Sequence, residues 1–321
     1  MEKKKVILDV DTGTDDAIAI MTAVMSENLE VLGVCAVNGN RGIDFTTENT
    51  LRVVEYLGKD IPVFRGCSLP MVVSLTEGRR EDIPYKGPKD PQDNVHGDYI
   101  DLPPATIQEQ PVSAVRWLVD TLMASEGDIT LIPVGPLTNI AMALRIEPRI
   151  AQKIKRIVIM GGGCREVNIT PTAEFNFWID PEAAKIVFDC GCDILVVPLD
   201  ATHAAAVSIR TAEALERKGT KPATLTARII RQRQNAYKHW QPMADIDSVP
   251  VHDALAVCAV LDESVLGPVV ETYADVDISK GAADGMSIFD LDNRYKDRKK
   301  NVKVALGADP ERFADMLLNI L

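Results

Sequence analysis

The chain has 321 residues, of which 46% are hydrophobic, and its formal net charge is −12 because 47 acidic residues outnumber 35 basic ones. This length allows one large domain or two small ones, and the negative charge disfavours a nucleic-acid partner, whose phosphates would be repelled. No apolar run approaches the roughly 20 residues that a membrane helix needs, and the run at 6–8 is too short for the core of a signal peptide.

The cysteines are the next guide to the kind of protein. The chain has six cysteines, and none of their spacings is typical of a metal site; Cys190-Gly191-Cys192 is one residue short of the Cys-x-x-Cys pattern. Unpaired cysteines are most often buried thiols in a reducing compartment. The sequence therefore predicts a cytoplasmic protein with free thiols.

Strand and helix patterns alternate along the whole chain. Short apolar runs rich in valine and isoleucine predict strands at 6–8, 31–37, 61–64, 129–134, 157–160, 194–198, 269–276 and 302–306. Helical spacing predicts helices at 17–24, 45–57, 112–124, 140–145, 181–190, 212–236, 253–261 and 310–321. Because no internal repeat or linker interrupts this alternation, we predict one domain over residues 1–321. Its expected fold is α/β, a doubly wound and mostly parallel sheet with helices on both faces.

One long segment breaks the alternation. Residues 65–110 contain many prolines, glycines and charged residues, including the stretch 86–90 before Pro91. So long a loop in a compact domain is usually functional or disordered. We predict a functional loop around 65–110, with His96 as its candidate site residue.

The opening stretch carries the strongest chemical signal. Four aspartates, at positions 9, 11, 15 and 16, follow or end the first predicted strand, and Gly13 allows a sharp turn into the first helix. The carboxyl ends of strands are where open α/β sheets bind ligands. A solvated turn is one interpretation, but crowded carboxylates favour a hard divalent cation such as Ca²⁺ or Mg²⁺.

Two named motifs compete for this stretch. An EF-hand loop beginning at Asp9 needs a glutamate at its twelfth position, which is Ile20 here, so that interpretation fails. The haloacid-dehalogenase phosphatases begin with Asp-x-Asp-x-Thr or Val. Here Asp9-Val10-Asp11-Thr12 fits the start, but Gly13 follows. A phosphatase with Asp9 as its nucleophile is therefore kept as an alternative.

Later blocks contain polar residues in patterns that suit a sugar and a catalytic site. Asn168, Glu174 and Asn176 lie among aromatic residues, and amides and carboxylates bind vicinal hydroxyls while rings cover apolar faces. His252 adjoins Asp253 at the start of a predicted helix. An ordinary polar loop and a structural histidine remain the alternatives from these segments alone.

Taken together, the blocks resemble the inosine-uridine-preferring nucleoside hydrolases. The opening signature of that family, Asp-x-Asp-x-Gly-x-Asp-Asp-Ala, matches residues 9–17, with threonine at a position where proline is commoner. The later family blocks match residues 133–139, 173–176, 180–184 and 252–254. In the block 133–139, Val134 stands where relatives often have threonine.

The resemblance implies hydrolysis of the N-glycosidic bond of ribonucleosides with a tightly held Ca²⁺, within nucleoside salvage. It assigns the metal ligands to Asp11, Asp16, Asp253 and the carbonyl of Val134. It assigns ribose binding to Asp15, Asn40, Asn168, Glu174 and Asn176. Asp11 corresponds to the base that deprotonates water, His252 to a residue beside the nucleobase, and His96 to one on a mobile loop. The resemblance also implies a homo-oligomer, a tetramer or a dimer.

The preferred nucleobase stays open at this stage. Pyrimidine-preferring bacterial relatives place a glutamine and a tyrosine upstream of the final histidine, and an ungapped count back from His252 finds Trp240 and Ala244 instead. Trp240 is a candidate for stacking on a base, or an ordinary tryptophan at a helix end. A non-catalytic ribonucleoside-binding protein is the second alternative function.

Overall fold

The structure is a computed structural model that describes residues 2–79, 96–240 and 245–321, without the side chains of residues 74, 239 and 240. The stacking prediction for Trp240 and the middle of the predicted functional loop, residues 80–95, therefore lie outside the described part of the chain. Within that part, no helix combines the length and the apolar composition that a membrane crossing requires.

The strands account for the apolar runs of the sequence, since valine and isoleucine fit a buried sheet. In chain order they are β1 (Lys4–Val10), β2 (Leu29–Ala36), β3 (Val63–Arg65), β4 (Ile129–Pro133), β5 (Ile154–Met160), β6 (Ile194–Val197), β7 (Val207–Ser208), β8 (Ser248–Val249), β9 (Val269–Thr272), β10 (Ala274–Val276), β11 (Ser287–Phe289) and β12 (Val302–Ala305).

The helices alternate with these strands, as a parallel sheet requires. They are α1 (Thr14–Met25), α2 (Ile43–Leu57), α3 (Ala114–Ala124), α4 (Thr138–Ile146), α5 (Phe175–Ile179), α6 (Pro181–Phe188), α7 (Leu199–Ala204), α8 (Ile209–Lys218), α9 (Lys221–Trp240), α10 (His252–Leu261) and α11 (Pro310–Ile320).

The central sheet has eight strands in the order β3-β2-β1-β4-β5-β6-β12-β9. Every neighbouring pair is parallel except β12 with β9, which confirms the predicted mostly parallel α/β sheet. The chain winds outward from β1 through β2 to β3 and then returns to the other side of β1 with β4. Ligands bind in the crevice at such a reversal of strand order. The carboxyl ends of β1 and β4 are therefore the expected place for a site.

Two hydrophobic cores cover the two faces of the sheet. One core contains apolar residues of α1, α2, α9, α10 and α11, and the other contains those of α3, α4 and α6. Helices α1 and α10 pack against each other, and both are buried over most of their length. Their amino-terminal ends lie close together, since ligand atoms of Asp16 in the first turn of α1 and Asp253 in the first turn of α10 are within 4.8 Å of each other.

The structure corrects two of the predicted elements. The single helix expected at 212–236 is two helices, α8 and α9, because α8 ends at Gly219 with a left-handed φ of 72° and Pro222 lies near the start of α9. The single strand expected at 269–276 is also two: β9 pairs antiparallel with β12, and β10 pairs with β11 in a separate small sheet. The short helices α5 and α7 were not predicted.

Asn139, at the start of α4, ties together three segments beneath the carboxyl end of β1. Its side-chain amide donates to Asp9 Oδ2 at 3.0 Å and to the Ala36 carbonyl at 3.1 Å, and its Oδ1 accepts from the Cys67 amide at 2.8 Å. Burial raises the pKa of Asp9 to about 8, so this carboxyl is mostly protonated at neutral pH. All three hydrogen-bond partners depend on one fully buried side chain.

We expect the substitution Asn139→Ala to lower the free energy of unfolding by about 2–4 kcal/mol, because it leaves several buried polar groups unpartnered. Urea denaturation followed by circular dichroism measures the change. Asn319→Ala, on the exposed side of α11, is the matched control and should change stability by less than about 0.5 kcal/mol. Equal stability of the two variants would show that the amide does not hold these segments together.

Candidate active site

Buried carboxylates meet at the carboxyl end of β1. Asp11 follows β1, Asp15 and Asp16 lie in the first turn of α1, and Asp253 lies in the first turn of α10. Among the described residues, ligand atoms of Asp15, Asp16 and Asp253 all lie within 4.8 Å of one another. Each of these four residues is at least 96% buried. The strand-turn-helix geometry predicted for the opening stretch therefore gathers its charges as expected.

Asp16 shapes the turn that creates this cluster. Its Oδ1 accepts a hydrogen bond from the Asp11 amide at 3.1 Å, and its Oδ2 accepts one from the Gly13 amide at 2.9 Å. Asp16 is the third residue of α1 and Gly13 is the N-cap, so this carboxylate reaches back to amides that precede the helix. Gly13 also has no room for a side chain, since a Cβ atom there would lie 2.2 Å from His96 Nδ1.

Asn40, which follows β2, donates a hydrogen bond to the carboxylate of Asp11. Its backbone amide donates to Asp11 Oδ2 at 2.7 Å, and its side-chain amide lies 3.3 Å from both the Asp11 carbonyl and Asp16 Oδ2. A Cβ atom at Gly39 would lie 2.1 Å from Asp11 Oδ2, so the backbone approaches Asp11 closely. The parallel arrangement of β1 and β2 thus brings Asn40 to the acidic cluster.

The electrostatics of the cluster call for a cation. Burial, followed by the charge of neighbouring aspartates, raises the pKa of Asp16 to about 7 and raises the pKa values of Asp11 and Asp253 well above the ordinary range. Burial acts to raise the pKa of Asp15, but the charge of Arg233, together with smaller contributions from His96, His252 and a backbone amide, lowers the pKa of Asp15 below its ordinary value. A divalent cation would remove the repulsion, and a donor set made only of oxygen atoms fits Ca²⁺ or Mg²⁺.

A second set of polar groups lines the ends of β4 and β5. The Val134 carbonyl accepts a hydrogen bond at 2.8 Å from the side-chain amide of Asn176, which also donates to the Met160 carbonyl at 3.2 Å. Glu174 caps α5: its carboxylate accepts from the amides of Asn176 and Phe177 and, at 2.8 Å, from that of Gly162. Burial raises the pKa of Glu174 to about 7, although these amides oppose the shift.

The remaining predicted sugar-side residues occupy the margin of this region. Asn168 Oδ1 accepts from the Phe175 amide at 2.9 Å, so Asn168 fixes the segment that precedes α5. His96 Nδ1 accepts from the Thr14 amide at 3.1 Å and lies 3.6 Å from Asp15 Oδ1. Burial lowers the pKa of His96 to about 4, so its ring is neutral near pH 7.

His252, at the start of α10, is held at both ring nitrogens. Its Nε2 lies 2.7 Å from the hydroxyl of Tyr237, and its Nδ1 lies 2.7 Å from Oγ1 of Thr202. Burial, followed by the charge of Arg233, lowers the pKa of His252 well below its ordinary value. The ring is therefore a neutral imidazole between two hydroxyl groups.

Tyr237, Thr202 and Arg233 were not found by sequence reasoning. The ungapped count from His252 pointed to Trp240 and Ala244, but the structure brings Tyr237 to the histidine. The segment between Tyr237 and His252 is longer than the spacing used in the ungapped count, so that count misses this tyrosine. The sequence feature that could have indicated two of them is the four-residue spacing of Arg233 and Tyr237, which places both side chains on one face of a helix.

Asp9 is not available as the nucleophile of the phosphatase alternative. It is 99% buried, and its Oδ2 is occupied by Asn139, while its Oδ1 has no hydrogen-bond partner among residues 2–79, 96–240 and 245–321. A carboxyl that is buried beneath the crevice and bonded to Asn139 cannot reach a phosphorus atom bound in the crevice. The aspartates that open into the cluster are instead Asp11, Asp15 and Asp16.

The fold and site together define an α/β protein with a buried cluster of carboxylates, suited to a divalent cation, at the carboxyl end of its central strands. The model of the inosine-uridine preferring nucleoside hydrolase family matches residues 6–315. The chain belongs to this family. The predicted enzyme class, a hydrolase of ribonucleosides, is thereby confirmed.

Relatives and solved structures agree with this assignment. The chain is 36% identical over 318 residues to the pyrimidine-specific ribonucleoside hydrolase RihB of Escherichia coli strain K12, covering 98% of this chain and 95% of the relative. A purine-preferring ribonucleoside hydrolase from Gardnerella vaginalis superposes with a TM-score of 0.86 at 28% identity, covering 98% of this chain and 97% of the other. A plant nucleoside hydrolase, the PpNRh1 enzyme, gives a TM-score of 0.85 at 30% identity, with 98% of both chains covered.

The carboxylate cluster leads to a prediction about metal. We expect the purified protein to retain about one divalent ion per chain, and we expect Asp253→Asn to lose it, because removing one carboxylate weakens a site built from oxygen ligands. Elemental analysis after gel filtration measures the content. Asp120→Asn, on the exposed face of α3, is the control and should keep the metal. Equal metal content in the two variants would contradict a site at this cluster.

Proposed function

We propose that this protein hydrolyses the N-glycosidic bond of pyrimidine ribonucleosides and that its resident metal is Ca²⁺. The observation that carries the proposal is the pairing of two half-sites at one crevice. One half is the carboxylate cluster at Asp11, and the other is the contact of 2.7 Å between Tyr237 and His252. The carboxylate cluster would activate a water molecule, and the Tyr237–His252 pair would assist the release of the nucleobase.

The metal side is assigned to Asp11, Asp16, Asp253 and the carbonyl of Val134. A bound Ca²⁺ would supply a site that orients a water molecule and lowers its pKa. Asp11 is the residue that accepts the proton of that water. The glycines at 39 and 135 leave space around its carboxylate, since a Cβ atom at either would lie within 2.8 Å of an Asp11 oxygen.

The sugar side is assigned to Asp15, Asn40, Asn168, Glu174 and Asn176. As the glycosidic bond breaks, the ribose gains oxocarbenium character. Carboxylates fixed in a buried, water-poor site stabilise such a charge without having to reorganise. The three amides that hold Glu174 serve this purpose, because they fix its carboxylate before substrate arrives.

The leaving-group side is assigned to His252, with Tyr237 as its partner and His96 at the margin. A departing nucleobase needs a proton or a strong hydrogen bond, because it leaves poorly as an anion. His252 is neutral and held between two hydroxyl groups, so its network supplies hydrogen-bond donors rather than a standing positive charge. Tyr237 extends that network towards the base.

The pyrimidine preference rests on two supports. The relative RihB is named as pyrimidine-specific. In addition, the tyrosine that pyrimidine-preferring relatives place upstream of the final histidine has a counterpart in Tyr237. The residue one turn before it is Arg233, where those relatives carry glutamine. The purine-preferring structural neighbour, at 28% identity, is more distant in sequence.

Four further predictions accompany the proposal. A single domain over residues 1–321 stays a prediction, and so does a homotetramer or homodimer, which size-exclusion chromatography with light scattering would measure. A cytoplasmic location and a place in nucleoside salvage also stay predictions. The six free cysteines support the cytoplasmic location, because free thiols persist in reducing compartments.

A substrate panel tests the proposed function. We expect uridine and cytidine to be cleaved with a kcat/KM at least about 10-fold above that for inosine, adenosine and guanosine, since pocket contacts of this kind are worth about 1–3 kcal/mol. Free ribose is measured as product, with the Asp11→Asn variant as the background control. Preferential release of ribose from inosine would contradict the pyrimidine assignment, and inertness towards all five nucleosides would contradict the proposed function.

A further inference from the structure

Arg233 is a fully buried arginine in the middle of α9. Its Nη1 donates to Asp15 Oδ1 at 2.8 Å and to Thr14 Oγ1 at 2.9 Å, and its Nε donates to the Pro250 carbonyl at 3.1 Å. Its Nη2 lies 3.3 Å from the hydroxyl of Tyr237. Its side chain is 1% exposed, and burying a guanidinium costs much free energy unless a close carboxylate compensates. That compensating partner is Asp15.

The other arginines of α9 behave differently. Arg228 pairs with Asp101 and Arg231 pairs with Glu216, and their side chains are 48% and 40% exposed. Such surface pairs contribute little to stability or to a site. Arg233 alone among these three points into the molecule and reaches the carboxylate cluster. Arg231, two residues away on the same helix, is therefore a matched comparison for it.

The ion pair with Arg233 distinguishes Asp15 from the other carboxylates of the cluster. Asp15 lies within 4.8 Å of Asp16 and Asp253, so proximity alone would make all three ligands of one cation. The guanidinium instead occupies Asp15 Oδ1 and supplies a permanent positive charge on the side facing α9. A divalent metal and Arg233 together then compensate most of the charge of the four clustered aspartates.

We infer that Arg233 is a positioning residue for the sugar. By holding Asp15 in a fixed orientation and apart from metal coordination, it reserves that carboxylate to accept hydrogen bonds from the vicinal hydroxyls of the ribose. This inference rests on the proposed function, in which Asp15 binds ribose. A site that bonds a hydroxyl rejects the analogue lacking it, so Arg233 contributes to discrimination against 2′-deoxyribose.

A role on the base side is the competing interpretation. Arg233 reaches the nucleobase half only through Tyr237, at 3.3 Å, whereas it contacts Asp15 directly at 2.8 Å. The shorter contact joins two full charges and is the stronger of the two. The geometry therefore favours the sugar side, and the two roles differ in the substrates they would affect.

A double-mutant cycle on the metal-loaded enzyme separates these roles. The proteins are wild type, Arg233→Gln, Asp15→Asn, the double variant and the control Arg231→Gln. With uridine, we expect Arg233→Gln to lower kcat/KM by ~100-fold, the loss typical of truncating one partner of a buried charge pair. The loss should be the same with p-nitrophenyl riboside, and the preference for uridine over 2′-deoxyuridine should shrink.

In the Asp15→Asn background, the same substitution should cost less than about 3-fold, because contacting residues are strongly coupled. Arg231→Gln should stay within about 2-fold of wild type, as surface substitutions usually do. Arg233→Lys keeps the charge without the planar fork and should recover part of the lost activity. All variants should keep the metal content of wild type.

Three outcomes would overturn the inference. An undiminished loss in the Asp15→Asn background would show that Arg233 does not act through Asp15. A loss with uridine but not with p-nitrophenyl riboside would assign Arg233 to the leaving group. Loss of the metal from Arg233→Gln would make Arg233 a structural part of the cluster.

Calorimetry with free sugars separates failure of the inference from failure of the proposed function. Inertness of the wild type towards all nucleosides would defeat the proposed function only. Titration with D-ribose and 2-deoxy-D-ribose then decides about Arg233. We expect wild type to prefer ribose and Arg233→Gln to lose that preference. Equal ribose binding by the two proteins, or absence of ribose binding by wild type, would contradict the inference.

Discussion

The structure depends on the burial of like charges at one end of β1. Asp11, Asp15, Asp16 and Asp253 are nearly inaccessible to water, and their mutual repulsion is strengthened by desolvation. Only cations and hydrogen-bond donors can make such a cluster tolerable. The fold supplies one permanent cation, and the oxygen-only donor set calls for a divalent metal as the second. The role of each carboxylate in the site therefore depends on whether its charge is balanced by the arginine or by the metal.

The scaffold around the cluster is preorganised mainly by backbone amides. Asp16 is held by two amides of its own turn, and Glu174 by amides at the ends of β5 and α5. The amides of Asn176 and Phe177 lie at the start of α5, where no intrahelical acceptor satisfies them, so they are available to fix an acidic side chain. Carboxylates fixed in this way are already oriented when a substrate binds, which is the condition for electrostatic stabilisation of a transition state.

Much of this arrangement could be predicted from local sequence. The order of strands and helices, the crowding of aspartates after β1 and the helix start at His252 all depend on short-range patterns, and the structure contains each of them. The break between α8 and α9 depends on a single glycine in the left-handed region, which a reading based on composition passes over. The split between β9 and β10 depends on pairing with two different partners, which only the tertiary structure decides.

The residues that sequence reasoning missed are all connected through space. Tyr237 contacts His252 across a connection whose length cannot be read from one sequence, and Thr202 reaches the same ring from α7, a helix without a periodic pattern. In the sequence, Arg233 is one of several arginines in a helical segment, and only the structure shows that it is buried. Motifs identify residues that are close in the chain, whereas Asp15 and His252 meet their partners only because α9 packs on α1 and its side chains reach the start of α10.

One side of the crevice is assigned to the activation of water and the other to release of the base, and one comparison tests that division most directly. It measures kcat/KM for uridine and for p-nitrophenyl riboside, whose phenolate leaves without a proton, in Asp11→Asn and His252→Ala. Asp11→Asn should slow both substrates by a similar factor of at least about 100, because water activation serves either one. His252→Ala should slow uridine while leaving p-nitrophenyl riboside within about 3-fold of wild type. Equal losses on both substrates in a folded, metal-loaded His252→Ala enzyme would contradict the division.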